Sequence, residues 1–215
     1  MTRTRRAALT FVTGLTYTAV TLLVGIIAVP FLLRWLGEER YGAFRATVDW
    51  FGYLALLEFG LAGALRPLIA RAASEGDARK VEASMAAGIR AFATMTVPML
   101  LVGLGLALAL TTLIPVEAAN AEDLRRAGLL MLVTLAFVPL IPFRELAEAR
   151  QRGYRTNFLL LIQSLVITGT ALWLAWRGFG ITGQIAAIAL ANKIARSAWA
   201  MMAHGTFYKE PAAQA

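Results

Sequence analysis

Long apolar runs separated by short charged connectors make up most of the 215 residues. Six runs stand out: 7–33, 43–65, 91–114, 127–143, 158–176 and 181–203. Each is near the ~20 residues an α-helix needs to cross ~30 Å of hydrocarbon. Alternating blocks of about ten residues, the mark of barrel strands, do not occur. The pattern predicts an all-α integral membrane protein: one lobe of about six transmembrane helices over 1–208, then a polar tail, 209–215.

Polar positions inside the runs depart from that scaffold. In the first run Thr10, Thr13, Gly14 and Thr18 recur at helical spacing and give a small, polar face suited to close packing on a neighbour in lipid. The second run keeps Arg45, Asp49 and Glu58. Arg45 and Asp49 are four apart and can pair on one side of a helix. Asp49 and Glu58 are nine apart, which puts them on opposite sides unless the helix kinks. The sixth run holds Gln184, Asn192, Lys193 and Arg196, with Lys193 and Arg196 three apart on one face.

A charged side chain at the centre of a lone spanning helix costs about 2.5–3.5 kcal/mol, so these five ionisable residues are the candidate functional positions. A structural explanation stands beside each. Arg45 and Asp49 can form a pair near the outer interface, and Glu58 a packing contact with an Arg of another span. Lys193 and Arg196 can snorkel to the headgroups. Facing a cavity instead, Lys193 and Arg196 would favour an anion such as a phosphate or diphosphate.

Composition adds weight to the membrane reading: 59% hydrophobic residues, 16% charged, mean hydropathy +0.64. The net charge of +8 is spread over connectors, which speaks for topology and against nucleic acid. The basic start Arg3, Arg5, Arg6 precedes an apolar run far longer than a signal core of ~7–15 residues, so a retained first span is expected. With that start inside, inner connectors carry Arg66, Arg71, Arg79, Lys80, Arg90, Arg144, Arg150, Arg152 and Arg155, and Lys209 adds to them. The outer side has Arg34, Arg40, Arg45, Arg125, Arg126 and Arg177, a bias of about two to one for both termini being cytoplasmic. After the fourth run, Arg144/Glu148 and Glu148/Arg152 are four apart and could pair along a helical extension.

Cysteine is absent and His204 is the single histidine, so a thiolate site, a disulfide framework or a His pair is ruled out. The serines have no histidine partner in prospect and the carboxylates do not cluster. The expectation is a non-enzyme without cofactor or metal.

Three short elements carry a resemblance. They are Leu36-Gly37-Glu38-Glu39-Arg40-Tyr41-Gly42, then Glu58-Phe59-Gly60-Leu61 with Arg66 following, then Gln151-Arg152 with Asn157 ahead of Gly178-Phe179-Gly180-Ile181-Thr182-Gly183. Together they are similar to the start of bacterial polysaccharide-export flippases, the Wzx-like members of the MOP (multidrug, oligosaccharidyl-lipid, polysaccharide) superfamily. The resemblance implies the bacterial inner membrane and translocation of an undecaprenyl-diphosphate-linked oligosaccharide by alternating access between two six-helix lobes. It implies a cationic cavity drawn here from Arg45, Asp49, Glu58, Lys193 and Arg196. Where the family often has Asp, this chain has Glu58.

Six spans supply one lobe, so a second lobe is expected, as a homodimer or a separate chain. Membrane lipids, a polysaccharide polymerase or glycosyltransferases are further expected neighbours. The competing readings are a non-transporting membrane scaffold or truncated remnant in a polysaccharide-synthesis assembly, and a drug or cation exporter of the same superfamily.

Overall fold

A computed structural model describes residues 3–149 and 153–207, with side chains described for 8–149 and 153–199. The Glu148/Arg152 spacing, the Gln151-Arg152 element and the polar tail lie outside the described residues. Among those described there are helices and turns and no strand.

The first apolar run forms α1, Arg3–Leu36, and the turn at Gly37 starts α2, Glu38–Gly52. A 3-10 segment, Tyr53–Glu58, leads to α3, Leu61–Ser74, and a tight turn to α4, Ala78–Leu113. The chain continues through α5, Ala118–Leu135, a short 3-10 turn, Val138–Leu140, and α6, Ile141–Ala149. Two long helices, α7, Gly153–Trp176, and α8, Ile181–Phe207, complete the described fold.

Four stretches are long and apolar enough to cross a membrane: 8–36, 78–113, 118–149 and 153–176. A fifth counts if α2 and α3 are taken together as one broken span. Helix α8 is long enough but less apolar, because Gln184, Asn192, Lys193 and Arg196 interrupt it.

The expected second span, 43–65, falls within the bent pair of α2 and α3. The chain breaks at Phe59 and Gly60, both with positive φ (47° and 74°), and the helices on either side meet at a bend of 51°. Gly60 takes the left-handed conformation at little cost, whereas Phe59 is the one described non-glycine residue held there.

The lobe is built around α4, α5 and α8. Helix α5 packs on both α4 and α8, α3 packs on α4 and α6, and α1 pairs with α7. Phe92, Met99, Leu110, Leu124, Ile181 and Ile185 form part of the closed centre. The apolar windows of α1 and α7 are only 17% and 11% buried, against 39% for 118–149. The first pair is therefore the side of the lobe that needs an apolar solvent.

The threonine face of α1 lies against α7 as its spacing predicts. Asn157 donates its amide to the Thr10 carbonyl at 3.0 Å and to Thr13 Oγ1 at 3.2 Å. Gly14 leaves room for that amide, which a Cβ there would meet at 3.2 Å. At the α3–α4 turn Asp77 caps α4 by accepting from the Arg79 and Lys80 N–H groups at 3.0 and 3.1 Å. Glu75, hydrogen-bonded by Lys80 and then Arg71, has its carboxyl held below the ordinary 4.5, and Lys80 is raised above 10.5 by the same bond.

Candidate functional site

Two polar assemblies sit at opposite ends of the bundle. The first joins three chain segments remote in sequence. Arg40 Nε donates to Asn120 Oδ1 at 2.7 Å, and Glu39 Oε1 accepts from the Glu117 N–H at 2.6 Å, at the start of α5. One turn further along α5, Asp123 caps α8: its carboxylate accepts from the Ile181 N–H at 2.6 Å and the Thr182 N–H at 3.2 Å. Thr182 Oγ1 returns a bond to the Asp123 carbonyl at 3.0 Å. A carboxylate on the first N–H groups of a helix satisfies donors that have no intrahelical partner and complements the helix dipole. Gly180 is required here, since a Cβ would run into the Asp123 carboxylate. The turn 36–42 and the segment 178–183, both singled out in the sequence, thus meet at one structural clasp.

The second assembly is a cleft of about 300 Å³. Its walls are Glu58 and Ala62 beside the α2–α3 break, Ile141, Arg144 and Glu145 of α6, Leu160 and Gln163 of α7, and Asn192, Arg196 and Trp199 of α8. Arg196 lies fifteen residues beyond Ile181, roughly 22 Å along α8 from the clasp. The cleft is therefore in the half of the lobe that also holds the α3–α4 turn.

Part of this cleft is internally paired. Gln163 Nε2 donates to Asn192 Oδ1 at 2.6 Å, and the Arg144 guanidinium lies over the Trp199 ring, 5.9 Å from its centroid. Arg144 is itself held by Glu148 at 3.0 Å, the i,i+4 pair expected from the sequence. From α3, Arg66 reaches Glu145 at 2.7 Å and Glu148 at 2.5 Å.

Three buried atoms in the cleft have no partner: Gln163 Oε1, Arg196 Nη1 and Trp199 Nε1. The other two such atoms among the described residues, Thr156 Oγ1 and Gln184 Oε1, line no part of it. A buried polar atom left unsatisfied costs about 1–3 kcal/mol, more when charged, so these three atoms make the cleft the candidate site of this chain. The volume is at the lower end of ligand pockets, about 300–1,000 Å³. Two donors, one of them cationic, and one amide acceptor suit an anion that also carries hydroxyl groups.

The sequence candidates divide. Glu58 and Arg196 are brought into the same cleft without an ion pair between them. Arg45 and Asp49 are exposed on α2 and make no ion pair with one another, a correction to the expected pairing. Four-residue spacing permits that contact without enforcing it, because an exposed pair gains only ~0.3–0.5 kcal/mol. Lys193 is exposed and does not line the cleft, a correction to its expected place beside Arg196 in a cavity.

Sequence reasoning missed Arg144, Gln163 and Trp199. Gln163, an amide inside the fifth apolar run, was the available signal. Among the described residues no three of His, Cys, Asp or Glu converge in a way that could hold a metal. No family model matches the chain, and neither a curated protein nor a solved structure matches it.

Proposed function

We propose that this chain is a six-pass lobe of a translocator for undecaprenyl-diphosphate-linked oligosaccharides, with both termini on the cytoplasmic side of a bacterial inner membrane. Its Arg196 cleft receives the diphosphate and first sugar. The observation that carries this reading is the convergence of Gln163 Oε1, Arg196 Nη1 and Trp199 Nε1, all buried and unpartnered, in one cleft. Arg196 supplies charge-assisted donors for a phosphate oxygen, and the amide and indole serve hydroxyls. The resemblance of the 36–42 and 58–61 segments supports the class of cargo.

In this reading the lobe works with a second lobe, a second copy or a separate chain, against which it rocks to alternate access. Its membrane neighbours are the enzymes that build and polymerise the glycan. The test is reconstitution in proteoliposomes with a fluorescent polyprenyl-diphosphate sugar, scored by protection of the label from a membrane-impermeant quencher. Transport that disappears in Arg196→Ala supports the reading, and transport unchanged by that substitution contradicts it.

The Glu58 carboxylate in the same cleft favours a second reading, export of an organic cation. There a fluorescent cation would be moved, Glu58→Gln would stop it, and Arg196→Ala would leave it intact.

A further inference from the structure

The wall of the cleft formed by α3 differs from the other walls in how it is attached. It begins at two consecutive left-handed residues, Phe59 and Gly60, across which the helix direction turns by 51°. Phe59 is 83% exposed, so its side chain does little to hold the break in place. Six residues on, Arg66 is followed by Pro67, which has no N–H to give to the turn before it.

At that point α3 is tied to α6 by ion pairs. Arg66 Nε meets the buried carboxylate of Glu145 at 2.7 Å and its terminal nitrogen meets Glu148 at 2.5 Å, while half of the Arg66 side chain is exposed to the surroundings. Glu148 also holds Arg144, and Arg144 lies over Trp199. These contacts thus run from Arg66 through Glu148 and Arg144 to the ring whose indole nitrogen has no partner inside the cleft.

We propose that α3 is a hinged wall of the cleft, with Phe59–Gly60 as the hinge and Arg66 on Glu145 and Glu148 as the latch. Release of Arg66 swings α3 from α6 and widens the cleft between Ala62 and Ile141. Closure reverses each step. The device is independent of which polar cargo the cleft takes, since it rests on the attachment of the wall.

The absence of cysteine gives a clean background for a test. In the full chain in inside-out membrane vesicles, Ala62→Cys is reacted with a hydrophilic, membrane-impermeant thiol reagent, and Ala78→Cys at the exposed α3–α4 turn serves as the control. Adding Arg66→Ala should raise the rate at position 62 about tenfold, as expected for a local opening made easier, and leave position 78 unchanged. High salt, ~1 M, should raise the position 62 rate in the parent and have little further effect in Arg66→Ala, because it screens the half-exposed latch.

Glu148→Gln, which removes one arm only, should give an intermediate rate and keeps the proposal testable if Arg66→Ala does not fold. Equal rates at position 62 with and without the latch overturn the proposal. A rise of the same size at positions 62 and 78 also overturns it, since that is general loosening and not a hinged wall.

Discussion

At the clasp end, Glu39, Arg40 and Asp123 each end on a specific partner, whereas in the cleft Gln163, Arg196 and Trp199 each keep a buried atom with none. Both assemblies join elements far apart in sequence, and both put ionisable groups in a largely apolar lobe. The difference is whether the desolvation of those groups is offset inside the chain. Where it is, as at Asp123 on the first N–H groups of α8, charge is structural. Where it is not, the fold carries a cost that a bound partner can remove. The comparison also separates residues of the same chemical type. Arg40 belongs to the first class, Arg196 to the second, and Arg66 is a paired group at the edge of the unpaired site.

The sharpest way to break this contrast is to remove one charge from each end. Arg196→Ala should abolish transport in the proteoliposome assay, a loss of at least about a hundredfold, as expected when a charge-assisted contact of ~3 kcal/mol is lost. It should leave the melting midpoint in detergent equal or higher, since it deletes a buried Nη1 that has no hydrogen-bond partner. Lys193→Ala, exposed and outside the cleft, should change transport little. Asp123→Ala should do the reverse: lower stability by about 2 kcal/mol through loss of the α8 cap, measured by thermal unfolding, with transport per folded molecule retained.

A smaller effect sharpens the account within the cleft. Trp199→Phe keeps a ring beneath Arg144 and deletes only the indole N–H. A loss of about fivefold in affinity for a polyprenyl diphosphate is expected, near 1 kcal/mol, by isothermal titration in detergent.

The smallest effect belongs to the exposed α3–α4 turn, which is paired like the clasp but fully in solvent. Bonds from Lys80 and Arg71 lower the Glu75 carboxyl, so its contribution is present above the ordinary 4.5 and is lost as pH falls through the lowered value. Lys80, raised, contributes below 10.5 and loses that contribution as pH rises through its raised value. Glu75→Gln should slightly flatten the acid limb of the melting midpoint as pH falls below the ordinary 4.5 and leave transport unaltered.

Local spacing made some of this legible in the sequence. The Thr10, Thr13, Gly14 face and the Arg144/Glu148 pair depend on residues within one helical turn or two, and both are found where the period puts them. The helical, membrane-type character follows from the length of the apolar runs.

Other features depend on contacts that spacing does not encode. Asp123 lies 58 residues from the Ile181 N–H it accepts from, and Arg66 lies 79 from Glu145. The break at 59–60 was hidden because its first residue is Phe, a poor left-handed residue, in an otherwise continuous apolar run. The cleft was half visible. Glu58 and Arg196 stood out as charges in apolar runs, but Gln163 and Trp199 look like an ordinary amide and a headgroup-level ring until α6, α7 and α8 are brought together.

The most direct measurement is a paired thermal shift on the purified full chain, parent and Arg196→Ala, with and without a short-chain polyprenyl diphosphate. Binding at the Arg196 cleft predicts that the ligand raises the parent midpoint, that Arg196→Ala shows no rise, and that the unliganded variant melts no lower than the parent. A parent that does not shift, or a variant that shifts as far as the parent, would contradict the assignment of the Arg196 cleft as the binding site.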